Sequence, residues 1–129
     1  MRGHTDVVNR VIYHPSVDTV FTGSHDSTIR IWNVPTSQCL KIMSMHQAQV
    51  TGLSLHATGD YVLSTSMDQS WAFSDVREGR LITRVTSAAG DDNESALSCA
   101  QFHPDGRIFG TGTSSSVIKI WDLKEVMKF

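Results

Sequence analysis

Apolar and polar residues alternate along most of the chain, in short runs separated by turn-forming residues. "VVNRVIYHP", "VTGLSLHAT" and "ALSCAQFHP" each read as a strand that ends in a turn. "TVFTGS", "YVLSTS" and "RIFGTGT" read as second strands, and "TIRIWNV", "SWAFSDV" and "VIKIWDL" as third strands. A fourth strand is read in "QCLKIMS" and in "RLITRVT", but none follows the third set. No segment of roughly ten or more residues has the spacing of an amphipathic helix. The expected fold class is all-β.

The strand sets are copies of one another. A shift of 42 residues places His4 on His46, His14 on His56, Asp18 on Asp60, Thr22 on Ser64, Asp26 on Asp68 and Val34 on Val76. A shift of 47 places His56 on His103, Ser64 on Thr111, Asp75 on Asp122 and Val76 on Leu123. The chain therefore reads as repeat units of about 1–42, 43–85 and 86–129, a period typical of propeller blades. The longer second shift reflects an acidic insertion, "TSAAGDDNESAL", whose Asp91, Asp92 and Glu94 read as a solvated loop rather than a docking element. Blades are antiparallel sheets that must stack on neighbours, and rings close with about four to eight of them. Three units, the last without its fourth strand, do not close a ring. A segment of a larger propeller is expected, with exposed faces, open edges and a tendency of copies to self-associate.

The middle unit departs from its neighbours. "SMDQSWAFSDV" has Ser74 where the other units have Trp32 and Trp121. Sliding it to align its Trp would break the Asp68, Asp75 and Val76 matches together. In register, Trp71 and Phe73 stand where Ile29 and Ile31, or Ile118 and Ile120, stand. Being two apart, they share one face of the strand, and Ser70, Ala72 and Ser74 share the other. Larger groups from the neighbouring blade are expected to fill that small-residue side.

Composition narrows the function classes. The 129 residues are 40% hydrophobic and 19% charged, with a formal charge of −2. That leaves no basic surplus for a phosphate backbone, so direct nucleic-acid binding is disfavoured. No apolar run approaches the roughly 18 residues of a membrane span, and "MRGHTDVV" lacks a signal-peptide core. Cys39 and Cys99 read as small buried hydrophobes in a reducing compartment, with a disulfide between them disfavoured. Six histidines raise the question of a metal site. His14, His56 and His103 share one repeat position, and His4 and His46 another, so they are spread over successive blades. No metal and no cofactor are expected.

The first unit, with Gly3-His4, Asp26 and Ile31 to Asn33 ("IWN"), resembles the WD-repeat family. The resemblance implies a hydrogen-bonded tetrad of His4, Thr22, Asp26 and Trp32. A carboxylate takes turn amides and the imidazole, whose second nitrogen meets a hydroxyl that also receives the indole N–H. The second unit keeps His46, Ser64 and Asp68 but has Ser74 for the Trp. The third keeps Thr111 and Trp121 but has Ser115 for the Asp and Asn93 at the His position. His, hydroxyl and Asp also describe a hydrolase triad. The set recurs at blade spacing without a Gly-x-Ser-x-Gly elbow, so no catalytic residue is assigned.

"LHATGDY", "WAFSD" and "FHPDGRIFGTGT" are more specific, and they resemble the propeller of the pre-mRNA-processing factor nineteen family over essentially the whole chain. That resemblance implies a nuclear spliceosomal ubiquitin ligase with a U-box, a tetramerising coiled coil and a seven-bladed WD-repeat domain. Its propeller would recruit spliceosomal proteins and ubiquitination substrates, without nucleic-acid or membrane contact. The ligase chemistry would lie in the U-box, outside these 129 residues. Candidate partner-binding residues are His25, Met67 and Ser114, just before the turn Asp, and Asp6 and Ala48, at the entrance to the first strands. The competing reading is an unrelated WD-repeat scaffold without a ligase or splicing role.

Overall fold

The computed structural model describes residues 2–86, 96–114 and 116–126. Three antiparallel sheets follow one another along the chain. The first contains β1 (Val8–Tyr13), β2 (Thr19–Ser24), β3 (Ile29–Asn33) and β4 (Gln38–Met43) in sequential order. The second repeats it with β5 (Val50–Leu55), β6 (Tyr61–Ser66), β7 (Ser70–Asp75) and β8 (Arg80–Thr86). The third has β9 (Leu97–Phe102), β10 (Ile108–Thr113) and β11 (Ile118–Asp122), after which the chain enters a single helical turn, α1 (Leu123–Val126). The register is the same in each: Phe21 faces Ile31, Leu63 faces Phe73 and Gly110 faces Ile120.

Each sheet is a blade, and two cores glue the three together. Phe21, Ile29, Ile31 and Met43 of the first blade meet Met45, Val50, Leu53, Val62 and Ala72 of the second unit. On the opposite face of the second blade, Leu63, Trp71 and Phe73 meet Leu97, Ala100, Phe102 and Phe109. The first strands lie side by side, β1 against β5 and β5 against β9. Bulges at Val8/Arg10 and Val50/Gly52 free one side chain per strand to reach across. Asn9 Nδ2 donates to the Val50 carbonyl at 2.8 Å, and Thr51 Oγ1 to the Leu97 carbonyl at 2.6 Å.

A second link recurs at the other end of the first strands. His14 and His56 sit directly over Gly59 and Gly106 of the following blade, where an added Cβ would collide with the imidazole. Both glycines also have φ near +75°, a left-handed turn conformation that a β-carbon disfavours. The histidines of this register are thus spacers between blades, which is why they recur at blade spacing.

The outer faces are open. Ile118 and Ile120 are 76% and 68% exposed, although their counterparts Ile29, Ile31, Trp71 and Phe73 are buried. On the first blade, Val11 and Tyr13 are exposed in the same way. The cysteine expectation is corrected: both Cys39 and Cys99 are exposed free thiols. Cys39 lies on the edge strand β4, and Cys99 points from β9 to the uncovered side of the third blade, away from Ala100 and Phe102. An edge strand exposes Cys39, and Cys99 is exposed because no described sheet covers that face of the third blade, so place in the assembly and not residue type decides both. Asp91, Asp92, Asn93, Glu94 and Ser115 lie outside the described residues.

Candidate functional site

In the first blade the four polar residues converge on the β2–β3 turn. Asp26 sits in that turn and accepts from the Thr28 amide at 2.9 Å and the Thr5 amide at 3.0 Å. His4 Nδ1 donates to Asp26 Oδ2 at 2.8 Å, which leaves Nε2 to accept from the Thr22 hydroxyl at 2.6 Å. Trp32 Nε1 closes the chain by donating to Thr22 Oγ1 at 2.8 Å. Burial pushes the Asp26 carboxyl upward, but the Thr28 hydroxyl and amide, His4 and the Thr5 amide outweigh it. The group is held well below the usual carboxylate range.

Asp–His–Thr at these distances has the connectivity of a hydrolytic triad. Its hydroxyl, however, already receives the indole N–H and is 8% exposed, with Trp32 over it at 2%. A nucleophile must face open space where a substrate can approach, and here the indole of Trp32 covers the hydroxyl. The arrangement is a latch that ties the segment entering β1 to the β2–β3 turn and to β3.

The second blade keeps part of the latch and rebuilds the rest. His46 Nε2 meets Ser64 Oγ at 2.7 Å, and Nδ1 lies 3.0 Å from Ser70 Oγ and 3.4 Å from Asp68 Oδ2. Ser70 also bonds Asp68 through its hydroxyl and, at 2.9 Å, its amide. Arg84, from β8, reaches back over this group, donating to Asp68 Oδ2 at 3.2 Å and Ser70 Oγ at 3.3 Å. Burial lowers the His46 pKa, with Arg84 adding to the effect and Asp68 opposing it. Asp68 is raised by burial but held below its ordinary value overall by Ser70, the Gln47 amide and His46.

The space of the missing Trp is filled by Met45, whose sulfur accepts from Ser74 Oγ at 3.2 Å. The swap is reciprocal. Met45 stands at the repeat position of Gly3, where a Cβ would fall 2.9 Å from the Trp32 ring and 2.6 Å from the Arg30 guanidinium. A large residue at one position therefore requires a small one at the other. The signal was present in the 42-residue shift, which pairs Gly3 with Met45 and Trp32 with Ser74, as a compensating exchange of size. Arg84 had no such signal, because its counterpart is Ile42.

In the third blade Trp121 Nε1 donates to Thr111 Oγ1 at 3.0 Å. Trp121 also packs edge-on against Trp71, with ring centroids 5.1 Å apart. The aromatic bulk that the second blade moved across its sheet thus meets that of the third.

His25, Met67 and Ser114 occupy equivalent places at one end of the blades. Their amides donate to the carbonyls of Val7, Gln49 and Ala96 at 2.8, 3.0 and 3.1 Å. Those bonds bring each turn beside the segment that enters the first strand, where Asp6 and Ala48 lie. Met67, Ser114 and Asp6 are exposed, and His25 and Ala48 are partly so. These residues form a rim of loops held rigidly by the sheets.

Comparison with known proteins gives consistent results. The family model described as WD domain, G-beta repeat matches residues 1–33, 37–73 and 83–122. The chain is 58% identical to Pre-mRNA-processing factor 19 of Bos taurus over 97% of its length, covering 24% of that protein. It is 46% identical to the Pre-mRNA-processing factor 19 of Caenorhabditis elegans over 95% of its length, covering 25% of that protein. Identity to Pre-mRNA-processing factor 19 homolog 2 of Arabidopsis thaliana is 39%, over 96% of this chain and 24% of that protein. The chain thus spans about a quarter of the length of the relatives it matches.

Proposed function

The chain belongs to the WD domain, G-beta repeat family, and on that basis we propose that it is a protein-binding segment of a larger propeller in a nuclear pre-mRNA-splicing factor. The observation that carries the splicing assignment is 58% identity across nearly the whole chain to a pre-mRNA-processing factor. The propeller recruits spliceosomal and ubiquitination-substrate proteins to a ubiquitin ligase whose transfer chemistry lies in another part of the polypeptide. The coiled coil that makes the assembly tetrameric lies outside this segment as well.

Binding falls to the rim that carries His25, Met67, Ser114, Asp6 and Ala48. Rigid display is the reason. Each turn is pinned by a backbone bond to its neighbour, so little ordering entropy is lost when a partner docks. Met67 supplies an exposed, adaptable apolar contact, and its first-blade counterpart His25 lies beside the segment that carries Asp6. The test is a double change, His25→Ala with Met67→Ala, in the full-length protein. Co-purification of spliceosomal partners should weaken while the melting temperature is unchanged; unaltered recovery of those partners removes the rim from consideration.

A further inference from the structure

The cleft between the first and second blades, at the end opposite the rim, is a candidate site of a different kind. It has a volume of about 500 Å³ and lies between two sheets that are both present, so no further blade covers its floor. That volume falls within the range of about 300–1,000 Å³ common for ligand sites. Ile31 and Val76 form its apolar base, with Leu40 at one wall and His14 and Gly59 at another.

Two smaller residues distinguish this junction from the next. Thr19 lines the cleft, and Thr19 stands at the repeat position of Tyr61. At the corresponding place between the second and third blades, Tyr61 stacks on Phe73 at 5.2 Å and meets His56 edge-on at 5.9 Å. Phe73 is itself the counterpart of Ile31. The first junction therefore has a Thr and an Ile where the second has two stacked aromatic rings.

Charge gives the cleft a preference. Lys41 crosses from β4 and donates to the Val76 carbonyl at 3.0 Å and to the Arg77 carbonyl. Carbonyl dipoles orient its ammonium but do not neutralise it. Arg77 and Asp60, at the mouth, form a loose pair at 3.6 Å. The lining is thus net cationic above an apolar base.

We infer that this cleft binds an extended segment of a partner protein that places one aliphatic or aromatic side chain on the Ile31–Val76 base and an adjacent carboxylate near Lys41. The site does not rest on the rim, which lies at the other end of the blades.

The experiment uses full-length protein and capped, fluorescein-labelled octapeptides carrying one Leu or Phe anchor between Glu residues. A matched set carries Lys in place of Glu. Anisotropy titration should give the Glu set a Kd lower by about tenfold or more than that of the Lys set. Thr19→Tyr, which puts into this junction the ring that Tyr61 supplies in the next, should weaken the Glu set by about tenfold with an unchanged melting temperature. Lys41→Gln, which can still donate to the two carbonyls, should weaken the Glu set and leave the Lys set unaffected. Equal affinity of the two sets, no measurable binding of either, or Glu-set binding that survives both substitutions overturns the proposal. Rim changes at His25 and Met67 should not alter these titrations, which keeps failure here separate from failure of the rim.

Discussion

The first and second blades put the same His, hydroxyl and Asp in the same places and finish them differently. In the first, Trp32 caps Thr22 and Gly3 makes room for it. In the second, Met45 fills the room, Ser74 stands for the Trp, and Arg84 secures Asp68 from the outer strand. The lesson is that the repeat conserves a volume and a set of satisfied polar groups rather than a list of residues. A buried carboxylate and imidazole must keep partners, and a core must stay filled, but several side chains can meet either need.

The comparison is broken most severely by removing the aromatic bulk that the second blade moved to its other face. Trp71 is fully buried against Phe109 and Trp121, and Trp71→Ala should cost about 3–5 kcal/mol in denaturant unfolding of the propeller. Next come the two size violations. Ser74→Trp, with Met45 retained, should destabilise by about 1–3 kcal/mol through overpacking, and so should Gly3→Met in the first blade. The sharper form is the double change Met45→Gly with Ser74→Trp. If the exchange is reciprocal, the pair should be more stable than Ser74→Trp alone, with a coupling of about 1 kcal/mol or more. Additive costs would dissolve the reciprocity.

Arg84→Ala should cost about 1–2 kcal/mol, since Asp68 keeps its turn amides and His46 while losing one charged donor that is partly in water. Ile42→Ala at the corresponding place in the first blade touches no latch, so its effect on the His4–Asp26 pair should be nil. A pH titration should give the smallest difference. The His46 pKa is lower in the folded state than its ordinary 6.5, chiefly through burial. As pH falls the unfolded chain takes up that proton first, so the contribution is complete above about 6.5 and declines as pH drops toward the folded value. Asp26 and Asp68 are also depressed, but their contributions are complete above about 3.8 and decline only below it. Melting temperature should therefore fall between about pH 7 and pH 5, and His46→Gln should flatten that part of the profile.

Much of this was legible beforehand. Alternation and the 42-residue shift placed the strands, and they set Trp71 and Phe73 in the register of Ile29 and Ile31, where β7 has them against β6. The expectation that larger groups would fill the small-residue side is met, by Phe21, Ile29 and Ile31 of the first blade and by Met45 of the unit itself. Cys39 and Cys99 are exposed against expectation, because residue type does not say which strand lies at an edge or which blade face is left uncovered. Arg84 was missed because its partners, Asp68 and Ser70, lie two strand-lengths back and its repeat counterpart is an Ile.

What the sequence determined alone is the repeat, the strand alternation and the identity of the groups that must be satisfied, since these follow from local periodicity and the chemistry of single residues. Tertiary structure decided how those groups are satisfied, even where the sequence carried a hint of the exchange. Met45 can occupy the volume of an absent indole only once the segment after β4 is folded against β7, and Arg84 can reach a carboxylate sixteen residues earlier only once β8 is paired in register with β7. Blade stacking likewise set Thr19 and Ile31 in the lining of a cleft, because a space between blades forms only when another blade stands opposite.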